Sequence, residues 1–329
     1  MAEVATPTNS IYADGLTKVF AGTTVVDDLH LEVPSGAIFG FIGPSGCGKT
    51  TSVRLLVGIY TPTSGNVTVL QKDPQNFGRA ERAQIGYMPQ QFVLYPELSV
   101  WENLNFAASL YGVPLRRKER LNELLELVEL NGHESKKVRD LSGGMQRQLS
   151  LAASIVHDPQ LIFLDEPTSG IDPVLRRKFW DYFQQLKAEG HTLFITTQYV
   201  SEAAYCDYVG IMANGRLLMV ETPQGLCRRA LGGDVLHLHT KNVMDRATFA
   251  SLQEQPFVLG KVNRLRDHGV EIVVEDASVA LPILLDWCHS QDIGVESASE
   301  YVPVFDDVFV ELIRQETAEK EEMEASNVQ

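Results

Sequence analysis

Several short stretches of this 329-residue chain hold residue types able to grip and cut a phosphate chain. Gly43-Pro44-Ser45-Gly46-Cys47-Gly48-Lys49-Thr50 fits the pattern G-x-x-x-x-G-K-[ST]. Glycines there let successive backbone N–H groups turn inward around a phosphate, and a helix that follows presents its positive end. Lys49 is spaced to reach the terminal phosphates and Thr50 to bind Mg²⁺, with Thr51 as a further nucleotide contact. Leu161-Ile162-Phe163-Leu164-Asp165-Glu166 is an apolar run ending in two carboxylates. Asp165 is placed to hold Mg²⁺, directly or through water, and Glu166 to polarise an attacking water. In such chemistry positioning and charge stabilisation supply most of the catalysis.

Leu141-Ser142-Gly143-Gly144-Met145-Gln146 opens a helix with a serine and two glycines, a second phosphate-binding geometry in the same chain. An ordinary serine N-cap would look the same. One γ-phosphate can be wrapped by both stretches only from opposite sides. The simplest arrangement is therefore a dimer in which Ser142–Gly144 of one copy cover the nucleotide of the other. Finally, the apolar run Leu193–Ile195 ends in Thr196-Thr197-Gln198. The Gln198 NH₂ can donate to a γ-phosphate oxygen and its carbonyl can accept from a neighbouring loop, but it cannot carry a proton or a charge. It reads as a neutral positioner, a tuned-down catalytic group or a silent loop residue.

These groups need a scaffold. Ala37–Ile42, Leu161–Leu164 and Leu193–Ile195 are continuously apolar, as strands buried on both faces are. Helical patterns alternate with them: from Thr51 to Ile59, from Gly143 to a stop at Asp158-Pro159, and over 174–188. Strands alternating with helices predict a mainly parallel sheet. Tyr208–Val220 reads as a hairpin turning at Asn214-Gly215. Residues 97–140 read as helical, opened by a Ser99–Glu102 capping box, with Leu121, Leu124, Leu125 and Val128 on one face.

A boundary is expected near Leu231-Gly232-Gly233. Beyond it the order is strand (234–240), helix (246–255), a strand pair (259–265 and 270–276), helix (280–290) and then the segment VESASEY (295–301). That order resembles a ferredoxin-like α+β unit. The organisation predicted is a flexible N-terminus over 1–9, a catalytic domain over 10–231 with a helical insert at about 92–140, an accessory domain over 232–315, and an acidic disordered tail over 316–329.

Composition narrows the classes. A net charge of −15 argues against a nucleic-acid surface. No apolar run approaches the ~18 residues that cross a bilayer, and MAEVATPTNS shows no secretory signal. Cys47, Cys206, Cys227 and Cys288 form no CxxC pair, so neither zinc nor a disulfide framework is expected.

Taken together, the glycine loop, LSGGMQRQ and LIFLDEPTSG stand in the order of the ATP-binding subunits of ABC transporters, which residues 10–230 resemble. The resemblance implies an α/β fold of the P-loop NTPase, ABC type: a mainly parallel sheet with an antiparallel β subdomain and a helical insert. It implies ATP as substrate, Mg²⁺ as cofactor and a second copy as dimer partner. It adds roles by position. Phe20 matches the aromatic that stacks on adenine, and a half-buried strand aromatic is its plain alternative. Gln90 matches the glutamine that touches Mg²⁺ and water, with Gln91 as the neighbouring alternative. Asp172 matches a loop that signals across the dimer, although it could simply cap the next helix. Most of the family has histidine where Gln198 stands. VPVFDDVFVELI resembles the closing motif of drug-export subunits related to the daunorubicin-resistance ATPase, which pair with a separate ABC-2 type membrane subunit. That implies a chain peripheral to the cytoplasmic face of the membrane, gripping the permease through the segment Phe92–Tyr111. The C-terminal unit then serves dimer contact or regulation, or only packs. A nucleotide switch of low turnover and a soluble ABC protein acting on ribosomes or DNA are the rival classes. The second lacks the usual pair of such domains or long coiled coil.

Overall fold

The computed structural model describes residues 9–91, 93–260 and 262–326, the side chains of 316–326 excepted. The chain divides into two compact units, one running to Val220 and one starting at Glu221.

The first unit opens with β1 (Asn9–Phe20), β2 (Thr23–Pro34) and β3 (Ile38–Ile42), then α1 (Lys49–Leu56) and β4 (Ser64–Val69). A short α2 (Arg79–Arg82) and β5 (Ile85–Met88) lead to α3 (Val100–Leu110), α4 (Lys118–Leu127) and α5 (Gly143–Ile155). The sequence closes with β6 (Leu161–Asp165), α6 (Pro173–Ala188), β7 (Thr192–Thr197), β8 (Tyr208–Ala213) and β9 (Arg216–Glu221). β2, β1 and β4 form an antiparallel sheet, and a second sheet runs β5-β6-β7-β3-β8-β9. From β5 to β8 its neighbours are parallel. β8 and β9 are joined by Asn214-Gly215, both left-handed at φ 50 and 83, as a two-residue hairpin turn demands.

The long apolar runs have the burial they predicted: β3, β6 and β7 are buried at every position. Phe39, Phe41, Phe163 and Phe194 meet in the core, the Phe39 and Phe194 rings stacked at 5.3 Å. Register carries the chemistry. Asp165 pairs with Thr196, and Ile42 with Thr197. The residues that follow, Glu166, Gln198 and Gly43, therefore leave the sheet together at the C-terminal ends of three adjacent parallel strands. Ligands bind at that end in open α/β sheets.

The insert differs from a continuous helical stretch. α3 stops before Gly112-Val113-Pro114 and α4 before Glu129, which takes φ 55. The predicted capping box is present, with Ser99 Oγ accepting from Glu102 N at 3.2 Å and Glu102 Oε2 from Ser99 N at 2.8 Å. Leu121, Leu124, Leu125 and Val128 are all buried.

The second unit contains α7 (Pro223–Leu231), β10 (Asp234–Thr240), α8 (Arg246–Gln253), β11 (Asn263–Arg264), β12 (Gly269–Val274), α9 (Ala277–Ser290), β13 (Val295–Tyr301) and α10 (Phe305–Ser326). Its sheet order, β11-β12-β10-β13 with every pair antiparallel, is the ferredoxin-like arrangement. Three expectations need correction. The boundary falls before α7, not after Leu231, because α7 packs with α10 and Ala230 O accepts from Gln315 Nε2 at 3.1 Å. The strand expected over 259–265 shrinks to Asn263–Arg264; Lys261 lies outside the described residues. The tail expected to be disordered from residue 316 continues the helix α10 to Ser326, and 327–329 lie outside the described residues. At the other end Asn9 already belongs to β1, and the rest of the predicted flexible N-terminus lies outside them too.

Candidate active site

The loop between β3 and α1 is built by close contact. A Cβ at Gly43 would stand 2.1 Å from the Met212 carbonyl oxygen of β8, so only glycine fits. Gly48 takes φ 111 as the N-cap of α1. Between them Pro44, Ser45 and Gly46 are exposed, while Cys47 is buried and its carbonyl accepts from Gly215 N at 3.0 Å. Burial raises the Cys47 thiol above its ordinary pKa, against the lowering influence of the Lys49 charge. Lys49 is 5% exposed and folds over the loop, donating to the carbonyls of Gly43 at 2.7 Å and Pro44 at 3.0 Å. An ammonium held by two loop carbonyls has the reach to transfer to phosphate oxygens. Thr51 lies in the first turn of α1.

Asp165 ends β6 fully buried. Its Oδ1 accepts from Thr50 Oγ1 at 3.2 Å and from Thr196 Oγ1 at 2.6 Å. Its Oδ2 is buried with no hydrogen-bond partner. A buried carboxylate oxygen left unpaired is costly, and here it lies beside a threonine hydroxyl. That is a hard-oxygen donor set of the kind Mg²⁺ takes, one carboxylate completed by phosphates and water. Among the described residues no cluster of three His, Cys, Asp or Glu could hold a metal alone, so such an ion would depend on the nucleotide.

Glu166 is half-buried and sits in left-handed backbone at φ 54. Its N–H donates to Thr196 O at 3.1 Å and Thr196 Oγ1 at 3.0 Å, and its carbonyl accepts from Arg147 Nη1 of α5. Burial lowers the Arg147 guanidinium, with Glu166, Tyr199 and Asp165 pulling the other way. Gln198 is exposed just past the end of β7, on the same edge. Sequence reasoning missed Thr196 and Arg147. The threonines of TTQ stood in plain view, but nothing in the sequence says which hydroxyl turns toward Asp165.

The remaining candidates sit on other elements. Phe20 is 39% exposed and meets Tyr60 edge-on at 5.3 Å, with Lys18 Nζ 4.9 Å from its ring centre. Tyr60 and Lys18 belong to this aromatic platform, and the sequence reading did not weigh them. Ser142 caps α5 through Met145 N at 3.3 Å, while it and Gly143 stay exposed. A Cβ on Gly143 would meet open space. Among the described residues no hydrogen bond joins Ser142–Gly144 to Gly43–Thr51. Asp172 caps α6, its Oδ1 accepting from Val174 N and Leu175 N at 3.0 Å each, so the plain capping role is present. Gln90 is exposed in the turn after β5, and Gln91 lines a cavity of about 550 Å³ with Tyr87, Tyr95, Phe106 and Leu110. A neighbouring cavity of about 810 Å³ shares Ile59, Tyr87 and Leu110. Within the segment expected to grip a partner, Val93, Tyr95, Phe106 and Leu110 are exposed, Val100 and Leu104 are core, and Phe92 lies outside the described residues.

A glycine loop between a central parallel strand and a helix, with a metal-competent carboxylate on a nearby strand, defines a P-loop nucleotide-binding domain. The comparisons narrow this. Residues 26–169 match the family model described as ABC transporter. The chain is 32% identical over 80% of its length, and 84% of the relative's, to the linearmycin resistance ATP-binding protein LnrL of Bacillus subtilis. It is 38% identical over 66% of its length to the probable multidrug ABC transporter ATP-binding protein YbhF of Escherichia coli, and spans 38% of that relative. A solved ATP-binding subunit of an ABC transporter superposes with a TM-score of 0.63 at 27% identity, covering 68% of this chain and 94% of the other. The chain belongs to the ABC transporter family and carries its ATP-binding domain.

Proposed function

We propose that this chain binds ATP with Mg²⁺ and hydrolyses it to energise export through a separate ABC-2 type membrane subunit. The observation that carries the reading is the chain of contacts Thr50–Asp165–Thr196 beside Lys49, with Asp165 Oδ2 left for a ligand. Thr50 Oγ1 and Asp165 would hold Mg²⁺, which when bound neutralises charge on the phosphate oxygens. Lys49 exchanges its loop carbonyls for the terminal phosphates, and the N–H groups of Gly46–Thr51 wrap them. Glu166 accepts a hydrogen bond from the attacking water and draws off its proton. Gln198 would donate its amide to the γ-phosphate, and Gln90 would contact the metal and the water. Phe20 stacks on adenine.

Ser142 and Gly143 are exposed, Gly144 is half-buried, and none is hydrogen-bonded to the chain's own Gly43–Thr51 loop, which supports their use on the nucleotide of a second copy. Two chains would then close head to tail on two nucleotides, with Asp172 near the seam. Among the described residues no helix is long and apolar enough to cross a membrane; on this reading the transport path lies in the separate membrane subunit. The exposed apolar residues around the two cavities support a groove for that subunit's cytoplasmic segments, which would put the chain at the cytoplasmic face of the membrane. Cargo selectivity then lies in the membrane subunit; relatives named for linearmycin resistance and multidrug transport favour a drug, antibiotic or lipid-like cargo.

Glu166→Gln tests the reading. The expected result is turnover lower by about 10²–10³, with ATP retained and a stable dimer on a sizing column. Native turnover in that variant would remove Glu166 from its role.

A further inference from the structure

Two helices begin at the loops that the proposed dimer sets against the second copy. α5 starts at the Ser142 cap and α6 at the Asp172 cap. Each sends an arginine from its first two turns into the turns that follow β6 and β7. Arg147 of α5 donates from Nη1 to the Glu166 carbonyl. Arg176 of α6 sets its guanidinium 4.4 Å from the centre of the Tyr199 ring, and Tyr199 directly follows Gln198.

Both grips fall where the structure needs holding. The left-handed backbone of Glu166 is disfavoured for a residue with a Cβ and persists only when its surroundings over-determine it. Thr196 fixes the N–H side of that peptide and Arg147 the carbonyl side. Behind Arg176 lies Glu202, 2% exposed, with neither carboxylate oxygen hydrogen-bonded. Its Oε1 is 3.9 Å from Arg176 Nε, which is itself buried without a hydrogen-bond partner. A guanidinium that left this place would strand a buried carboxylate, so Arg176 is pinned between that charge and the Tyr199 ring.

We infer that Arg147 and Arg176 are positioning residues: they tie the turns carrying Glu166 and Gln198 to the starts of α5 and α6, so that seating those starts on the second copy's nucleotide sets the aim of this chain's own carboxylate and amide. The inference rests on the catalytic roles and the head-to-tail dimer proposed above. Neither arginine is placed on the phosphates, so both act on the hydrolytic step and not on ATP capture.

The full-length chain is tested as Arg147→Met, Arg147→Lys, Arg176→Met and Arg176→Lys. The readouts are kcat, KM, affinity for a fluorescent ATP analogue and melting temperature. Misplacing a reacting group costs up to about 100-fold, so the methionine variants should lose about 10- to 100-fold in kcat. KM and analogue affinity should stay within about twofold, the pattern of a group that acts only in the reaction step. Lysine keeps the charge without the planar fork and should restore part of the rate. Native kcat in the methionine variants overturns the inference. So does a loss that follows melting temperature and is not relieved by lysine. Glu166→Gln, run beside them, separates the failures. A dead Glu166→Gln with native arginine variants removes only the inference; a native Glu166→Gln removes the reading beneath it.

Discussion

Gln198 poses the sharpest question at the scale of single residues. Its exposure past β7 leaves the amide free of any role in the core, and a neutral amide can donate to a phosphate without changing protonation. Replacing it with alanine is expected to lower kcat by about 100-fold, the lower end of what a single lost transition-state donor supplies, with ATP binding kept. Histidine at 198 is expected to raise turnover and to introduce a pH dependence near the ordinary imidazole value of about 6.5. An alanine variant with native kinetics would make Gln198 a loop residue and nothing more. Much of the centre was legible because glycine, lysine and paired acids have few other reasons to occur at those spacings. Thr196, Arg147, Tyr60 and Lys18 were not legible. Their roles depend on which side chains two separate elements bring together, and no local pattern in the sequence encodes that.

At the scale of elements, the strands and helices with strong periodicity came through and those with weak or broken patterns did not. β3 and β6 are apolar at nearly every position and β7 carries the apolar run Leu193–Ile195 between threonines, and burial on both faces follows. The insert was read as one helical stretch because its apolar spacing continues, but Gly112-Val113-Pro114 and the left-handed Glu129 break it. β11 is short, its pairing with β12 limited to Asn263 with Glu271 and Arg264 with Val270. A junction of elements also carries the clearest pH prediction. Asp234 at the start of β10 receives Arg228 of α7 through Nε at 2.5 Å and Nη2 at 2.8 Å, and Ala277 N of α9 at 2.9 Å. The Arg228 hydrogen bonds, and then the Ala277 N–H, hold its carboxyl below the ordinary value of 3.8. A depressed acid contributes stability that is fully present above its unfolded pKa and is lost as pH falls through the lower folded one. Asp234→Asn should therefore lower the melting temperature by a constant amount at neutral and mildly acidic pH. The difference should shrink below 3.8 and vanish in stronger acid. A difference that persists undiminished there would assign the effect to packing.

For the whole molecule, the decisive fact is that each unit owns a core. Phe39, Phe163 and Phe194 centre one, and Leu236, Leu238, Ile272 and Leu284 centre the other. Units with separate cores are expected to fold separately. A fragment from Glu221 onward should melt in one cooperative transition, and a fragment ending at Val220 should still bind a fluorescent ATP analogue. A fragment from Glu221 with no cooperative melt by circular dichroism would show that its core is incomplete. The same fragments show whether dimer closure needs the C-terminal unit: nucleotide-dependent association of the shorter Glu166→Gln fragment would locate it in the first unit alone.

Cys47 has a consequence for life under oxidants. The thiolate, not the thiol, is the nucleophile that attacks peroxide or a disulfide, and such a reaction at a cysteine in a phosphate loop would block the loop. Here the side chain is 5% exposed and burial raises its pKa. Burial and the raised pKa both work against thiolate formation at this sulfur, so the loop is expected to resist oxidation better than an open, acidic thiol at the same place would.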